Sequence, residues 1–336
     1  MKFGWKAWLG VAFSAAALWY AMRGVDFHEV GRVLADSNWG MFIASGLVAT
    51  LVFPLRAYRW RVILEPVVDV PVPPLWRSIA IGMMVNNVAP ARAGEIARAF
   101  AVTREDRRLA FSTAVASLAV DRVIDAVVVV VMLVLAVMAS NIPADTMING
   151  WTIARTTWFV GGIAAIALAG LFGLAFFPSL VTRLFDGIVG RLTPGLHRKL
   201  SPLVGSLLSG FAALRSPMRF ARIVAWAVAM WLVNSLAFYL GFLAVGIDAP
   251  FTAAVFVQSL VAIGVSVPST PGFFGVFEFF GREGLSLFGV PADQAISWGF
   301  GYHFVSFIPI TVIGLYYFSR LGMRFGDLGK TANASP

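Results

Sequence analysis

The chain has 336 residues, of which 59% are hydrophobic and 13% charged, and its mean hydropathy is +0.82. Soluble domains carry about 25% charged residues, so too few polar groups remain to coat a water-facing surface, and a soluble domain of any size is excluded. With no cysteine and only three histidines, disulfides and thiolate metal sites are excluded too; the net charge of +9 sits in loops between apolar runs, which is a membrane-topology pattern and gives no ground for nucleic-acid binding.

A helix crossing ~30 Å of hydrocarbon needs roughly 20 apolar residues. Lys2 and Lys6 lead into a first stretch at 5–22. It reads as an uncleaved span, because no small-residue cleavage site precedes a polar mature start. A second span is expected at 39–58, followed by a basic segment carrying Arg56, Arg59 and Arg61. The apolar stretch 75–103 is interrupted by Pro90 and Gly94, and Arg104, Arg107 and Arg108 follow it. Spans are then expected at 110–139 and 153–177. Between the fourth and fifth spans, Leu180, Leu184, Ile188 and Leu192 recur at helical spacing with Arg183, Arg191 and Lys199 interleaved. Segment 179–217 therefore reads as cytoplasmic amphipathic helices held by anionic headgroups, or as a plain connector. A fifth span is expected at 221–246 and a sixth at 294–319. Between them, stretch 252–288 is broken by Pro268, Pro271, Gly272 and Gly275.

Loop charge sets the orientation. The arginine-rich segments should be cytoplasmic, whereas Asn141–Trp151 and Gly246–Pro250 lack Lys and Arg and should be external. Arg23 and Arg32 on the outer side are offset by Asp26, Glu29 and Asp36. Both ends of the first broken stretch then lie inside, and both ends of the second lie outside. The expected fold is all-α and polytopic: six full spans plus two re-entrant helical hairpins in an inverted repeat. Residues 1–140 form the first repeat, 141–324 the second, and 325–336 a tail. Both hairpins carry Pro-x-x-x-Gly, at Pro90–Gly94 and Pro271–Gly275, with Glu95 and Glu278 close behind. The protein is expected in the cytoplasmic (inner) membrane with both termini inside.

Three polar clusters enter apolar segments. The first is Asn86, Asn87, Arg92, Glu95 and Arg98 at the first break; an arginine fork suits a phosphate there. The second is Asp121, Arg122 and Asp125, the two carboxylates sharing a helix face at i,i+4. The third is Glu278, Arg282 and Glu283, with Glu278 and Arg282 spaced to pair. Each charge at the bilayer centre costs about 2.5–3.5 kcal/mol to insert, and the clusters together exceed a typical stability of about 5–15 kcal/mol. Most must be paired, wet or interfacial, and a polar cavity between the hairpins would satisfy them together. His303 in the last span is expected to make a helix-to-helix hydrogen bond in preference to relaying protons.

The run Asn86-Asn-Val-Ala-Pro90-Ala-Arg92-Ala-Gly94-Glu95, then Asp121-Arg122-Val-Ile-Asp125, then Pro268-Ser-Thr-Pro271-Gly272-Phe-Phe-Gly275 with Glu278, occurs in this order. It resembles the flippase-like integral membrane domain of the lysylphosphatidylglycerol synthase family, over nearly the whole chain. The family's Glu-Arg pair is Asp121-Arg122 here, the same charge on a shorter arm. The resemblance implies handling of polar lipids. It gives no support for lipid aminoacylation, because the family's soluble catalytic domain is missing from this sequence.

The expectation is therefore a lipid flippase or scramblase, not an enzyme, with no metal or cofactor. Its partners would be membrane lipids with anionic headgroups: an anionic or aminoacylated phospholipid, or a polyprenyl phosphate. Asn86, Asn87, Arg92, Glu95, Arg122 and Arg282 would bind substrate. Glu95, Asp121, Asp125, Glu278 and Glu283 would pair charge or carry protons. A secondary transporter of a small soluble anion, or a membrane subunit of a lipid-modifying enzyme, are the rivals, and an oligomer or a partner enzyme is compatible with the sequence.

Overall fold

The computed structural model describes residues 5–89, 93–140, 147–148, 151–152, 177–190, 215–266 and 270–324, with isolated positions between 155 and 205. Among these residues the chain is helical, apart from a short antiparallel pairing of Met147–Ile148 with Trp151–Thr152. The helices are α1 (Trp5–Ala21), α2 (Phe27–Ala35), α3 (Trp39–Leu64), α4 (Val72–Val88), α5 (Gly94–Glu105), α6 (Phe111–Ala139), α7 (Pro178–Phe185), α8 (Pro217–Ala244), α9 (Phe251–Gly264), α10 (Val276–Ser286) and α11 (Ala292–Arg320). Asn38 starts α3 by accepting a hydrogen bond from the Met41 amide at 3.1 Å. Asp26 caps α2 in the same way through His28.

Helices α3, α6, α8 and α11 are long and apolar enough to cross a bilayer. On α3 the residues Ile43, Leu47 and Leu51 recur every fourth position and are 55–62% exposed. Phe304, Ile308 and Val312 repeat this on α11. Such stripes would be a defect in water and are covered by lipid in a membrane protein.

Both broken stretches fold as helical hairpins. In the first, α4 and α5 meet backbone to backbone: a Cβ on Gly94 would stand 2.0 Å from the Gly82 carbonyl oxygen. The Asn86 Oδ1 closes the turn by accepting from the Gly94 amide at 2.9 Å. In the second, α9 and α10 are joined through a 3-10 turn at Pro271–Phe273. Gly272 and Gly275 have φ of +68° and +86°, which glycine adopts without penalty, and Phe273 follows at +63°. A Cβ on Gly275 would lie 2.3 Å from the Ser14 carbonyl of α1. The limbs have 17, 12, 14 and 11 residues. At 1.5 Å per residue the longest is about 25 Å, so none spans ~30 Å of hydrocarbon alone.

Helices α3 and α8 run antiparallel along their length. The Asn38 amide donates to the Ala244 carbonyl at 2.8 Å, and the Ser45 hydroxyl to the Ala237 carbonyl at 2.7 Å. The rings of Tyr58 and Trp226 stack at 5.2 Å, and Arg222 pairs with Glu65 at 2.9 Å. Most of the remaining pairings come in matched sets. Where α4 packs on α11, α9 packs on α6; where α3 packs on α4 and α11, α8 packs on α9 and α6; where α5 packs on α6, α10 packs on α11. One end of this bundle is rich in cations, with Arg61 bonded to Asp69, Arg77 to Glu105, and Arg108 to Asp106 and the Asp69 carbonyl.

Several expectations shift. The second span does not end at 58. Helix α3 continues to Leu64, so Arg56 and Arg59 lie inside it and are buried, and only Arg61 faces outward. The loop after α1, expected outside, contains α2, where Arg32 pairs with Glu29 at 2.6 Å. The expected span 153–177 falls outside the described residues apart from isolated positions. Of segment 179–217, α7 carries Leu180 and Leu184 as an exposed apolar row, and Ile188 continues it.

The Gly82–Gly94 contact yields a stability prediction. Gly94→Ala should lower stability by about 1–3 kcal/mol through overpacking against backbone, read as a fall in the thermal unfolding midpoint in detergent. Gly31→Ala, which meets no atom within 4 Å, should not. Equal midpoints for Gly94→Ala and the parent would contradict the close contact.

Candidate functional site

The last two turns of α3 place Arg56, Arg59, Trp60 and Ile63 on one face, at i, i+3, i+4 and i+7. Asp121 and Asp125 form the matching face of α6. Arg59, with no solvent exposure, sits between them: Nε donates to Asp121 Oδ1 at 2.9 Å and Nη1 to Asp125 Oδ1 at 2.6 Å. Arg98 reaches from α5 to Asp121 Oδ2 at 3.2 Å, and its guanidinium lies 4.0 Å from the centre of the Trp60 ring. The Trp60 indole N–H donates to the Ser117 hydroxyl at 2.9 Å, which fixes that ring. Arg56 meets Asp125 Oδ2 at 3.2 Å. Arg122 joins Glu95 at 2.6 Å and Asp125 at 3.6 Å. From α8, Trp231 donates its indole N–H to Asp125 Oδ1 at 3.0 Å.

The first two sequence clusters are therefore one network, enlarged by Arg56 and Arg59. Asp121 lies about 15 Å up α6 from Phe111 at 1.5 Å per residue. Four arginines (56, 59, 98, 122) face three carboxylates (95, 121, 125), which leaves one positive charge in excess. Five guanidinium nitrogens (Arg56 Nε, Arg59 Nη2, Arg98 Nε and Nη2, Arg122 Nε) and two carboxylate oxygens (Glu95 Oε2, Asp125 Oδ2) of the network are buried without a hydrogen-bond partner among the described residues, so donors outnumber acceptors. A cleft of about 10 Å³ lies among Arg56, Asn86, Gly94, Glu95, Arg98 and Arg122, enough for about one water. Buried donors in a net-positive setting against a closed cleft are what an incoming anion would satisfy. Arg92 and Pro90, named from the sequence, lie outside the described residues.

The third cluster does not assemble as expected. Glu278 does not pair with Arg282. Arg282 Nη1 instead donates to the carbonyls of Tyr20, Ala21 and Arg23 at 2.6–3.0 Å, capping the C-terminal end of α1. Glu283 makes no ion pair among the described residues. Glu278, 1% exposed, accepts the Gly275 amide at 2.6 Å and meets His303 Nδ1 at 2.8 Å. His303 Nε2 lies 2.7 Å from the Gly272 carbonyl. A carbonyl only accepts, so Nε2 carries a hydrogen, and one further proton lies between Nδ1 and the Glu278 carboxylate. His303 thus makes the expected helix-to-helix contact, and the pair is electrically neutral overall. Pro268 lies outside the described residues.

Between the two hairpins is a cavity of about 220 Å³. Met83 and Asn87 reach it from the first hairpin, and Gln258, Gly272 and Phe277 from the second. The sequence suggested that opposite charges would line such a cavity. Among the described residues they do not: the ionic network lies to one side, and the polar lining is uncharged amides and hydroxyls with His303. Asn87 is tied across to the Thr311 hydroxyl of α11 at 2.7 Å.

Comparison with known proteins gives a match to the model described as lysylphosphatidylglycerol synthase TM region, over residues 7–314. The chain belongs to this family. In the lysylphosphatidylglycerol synthase TM region family it is 23% identical over 332 residues to a UPF0104 membrane protein of Methanothermobacter thermautotrophicus, covering 91% of each. It is also 27% identical over 292 residues to glycosyltransferase AglD of Haloferax volcanii, with 80% of this chain matched. That match takes in 47% of the Haloferax protein, so the chain spans about half the length of this relative. The membership makes the chain a membrane protein, in accord with its apolar helices.

Sequence reasoning missed Arg56, Arg59, Trp231 and Gln258. The signal for the two arginines was present: they share a helical face with Val52, Trp60 and Ile63, whereas Arg61 does not. Removing one partner of a buried pair costs about 3–5 kcal/mol. Asp121→Leu or Arg59→Leu alone should each destabilise on that scale in chemical unfolding, and the double variant by clearly less than their sum. Strict additivity would contradict a shared buried network.

Proposed function

We propose that the protein moves a lipid with an anionic headgroup across the cytoplasmic membrane, as a flippase or scramblase. The observation that carries this reading is the excess of buried guanidinium donors, unpartnered among the described residues, at the break of the first hairpin. Intramembrane ionisable groups are expensive and mark substrate pathways, and arginine forks suit phosphate oxygens.

The architecture supports the same reading. Antiparallel α3 and α8, together with the matched pairings on each side of them, are what an inverted repeat requires. With it, the short-limbed hairpins become re-entrant segments entering from opposite faces. The cation-rich end of the bundle would face the cytoplasm with both termini. Hairpin breaks of this kind mark transport sites. Opening of the first hairpin would widen the arginine cleft to admit a phosphate while the acyl chains stay in lipid. Glu95, 34% exposed beside Arg122, would then exchange places with the phosphate as counter-ion.

A second reading, a membrane subunit of a lipid-modifying enzyme, draws support from the name of the Haloferax relative. Reconstitution separates the readings. Purified protein in liposomes should move labelled phosphatidylglycerol or polyprenyl phosphate between leaflets faster than protein-free vesicles. Glu95→Gln should slow this by about tenfold, the scale of a charged hydrogen bond. Rates equal to those of empty vesicles would refute lipid transport, and passage of free phosphate without lipid would favour a soluble-anion carrier.

A further inference from the structure

The cavity between the hairpins differs in chemistry from the arginine network beside it. Among the described residues its lining contains no Lys, Arg, Asp or Glu. The one titratable pair at its wall, His303 with Glu278, is neutral as a unit and internally bonded. A cationic or carboxylate headgroup placed there would be buried without a counter-ion, at a cost of several kcal/mol.

What the lining offers is mixed donors and acceptors on an aromatic wall. Gln258 is 1% exposed. Its Oε1 accepts from the Ser235 hydroxyl at 2.7 Å, which pins the amide. Its Nε2 is buried with no partner among the described residues, a donor held at the cavity edge. Asn87 spends its Nδ2 on Thr311, and its oxygen accepts no hydrogen bond among the described residues. Asn234 lies across from Tyr302, 3.5 Å from the phenol oxygen. Hydroxyl groups donate and accept at once, so a polyhydroxylated group can answer all of these. Trp231, Phe238 and Phe277 supply flat apolar faces for its C–H edges. The volume of the cavity is about 220 Å³. It falls below the roughly 300–1,000 Å³ of sites that enclose a whole drug-sized ligand, and suits a headgroup without its acyl chains.

The two compartments touch. Met83 lines both the cavity and the arginine cleft. Trp231 presents its ring to the cavity while its N–H bonds Asp125 of the network. We propose that the cavity between the hairpins seats an uncharged, polyhydroxylated headgroup, a sugar or a glycerol, whose phosphate is held by the adjoining arginines. This rests on the lipid-transport reading and names its substrate class.

The test is binding, with the full chain in nanodiscs of zwitterionic phospholipid, so that no sugar detergent competes. Two matched pairs of probes are titrated by native mass spectrometry: polyprenyl monophosphate against its hexose ester, and phosphatidic acid against phosphatidylglycerol. In at least one pair the hydroxylated member should bind about tenfold tighter, the scale of one or two net hydrogen bonds; the pair that shows it identifies sugar or glycerol. Gln258→Leu and, separately, Asn234→Ala should abolish that preference and leave the bare phosphate lipids at parent affinity, which also reports intact folding. No preference in either pair, or equal weakening of both members by both variants, overturns the assignment of the cavity alone. Failure of all four lipids to bind the parent protein overturns it together with the lipid-transport reading.

Discussion

A guanidinium with no access to water must have its charge answered by carboxylates within a few ångströms, or the fold does not form. Arg59 is in that position, held by Asp121 and Asp125. From this one constraint the placement of four helices follows. Asp121 draws Arg98 and hence α5; Asp125 draws Arg56 and the Trp231 indole of α8. The network costs more than apolar packing of equal volume would in many proteins. Its retention, with one positive charge in excess, points to a use for that charge. Arg98 over Trp60 and Arg122 on Glu95 are the members nearest the hairpin break. They are where an outside anion would enter.

The second hairpin solves the same problem in a different way. At both breaks a glycine starts the returning limb and presses on backbone, Gly94 on Gly82 and Gly275 on Ser14. At both, a glutamate follows within three residues. Glu95 answers an arginine at the edge of the cleft, whereas Glu278 is sealed with His303 beneath Phe274, whose ring stacks at 4.2 Å. The site at the first break is thus charged and that at the second neutral, and the cavity between them takes its character from the second.

Much of this was legible in the sequence, and the rest was hidden for physical reasons. The hairpins could be read because Pro90–Gly94 and Pro271–Gly275 interrupt otherwise apolar stretches, and loop charge gave each stretch both ends on one side. Asp121 and Asp125 declared themselves by i,i+4 spacing in an apolar helix. Arg56 and Arg59 did not, because arginines beside a span end look like topology signals, and only burial on α3 separates them from Arg61. The spacing of Glu278 and Arg282 favoured a pair that does not form; tertiary partners, the α1 carbonyls and His303, outcompete a local contact worth about 0.2–0.5 kcal/mol. Gln258 carries no sequence signal at all: one amide in an apolar helix gains meaning only when the cavity beside it is seen.

The central claim is that each hairpin enters and leaves on one side of the membrane, the two from opposite sides, to enclose the site. The chain has no cysteine, so single replacements at the exposed positions Val67, Arg107, Asp248 and Ser286 give clean labels at the ends of the two hairpins. With a membrane-impermeant thiol reagent on intact cells, cysteines at 248 and 286 should react, while those at 67 and 107 should react only after the membrane is opened. Labelling that differs between the two ends of either hairpin would make it an ordinary crossing and contradict the enclosed site.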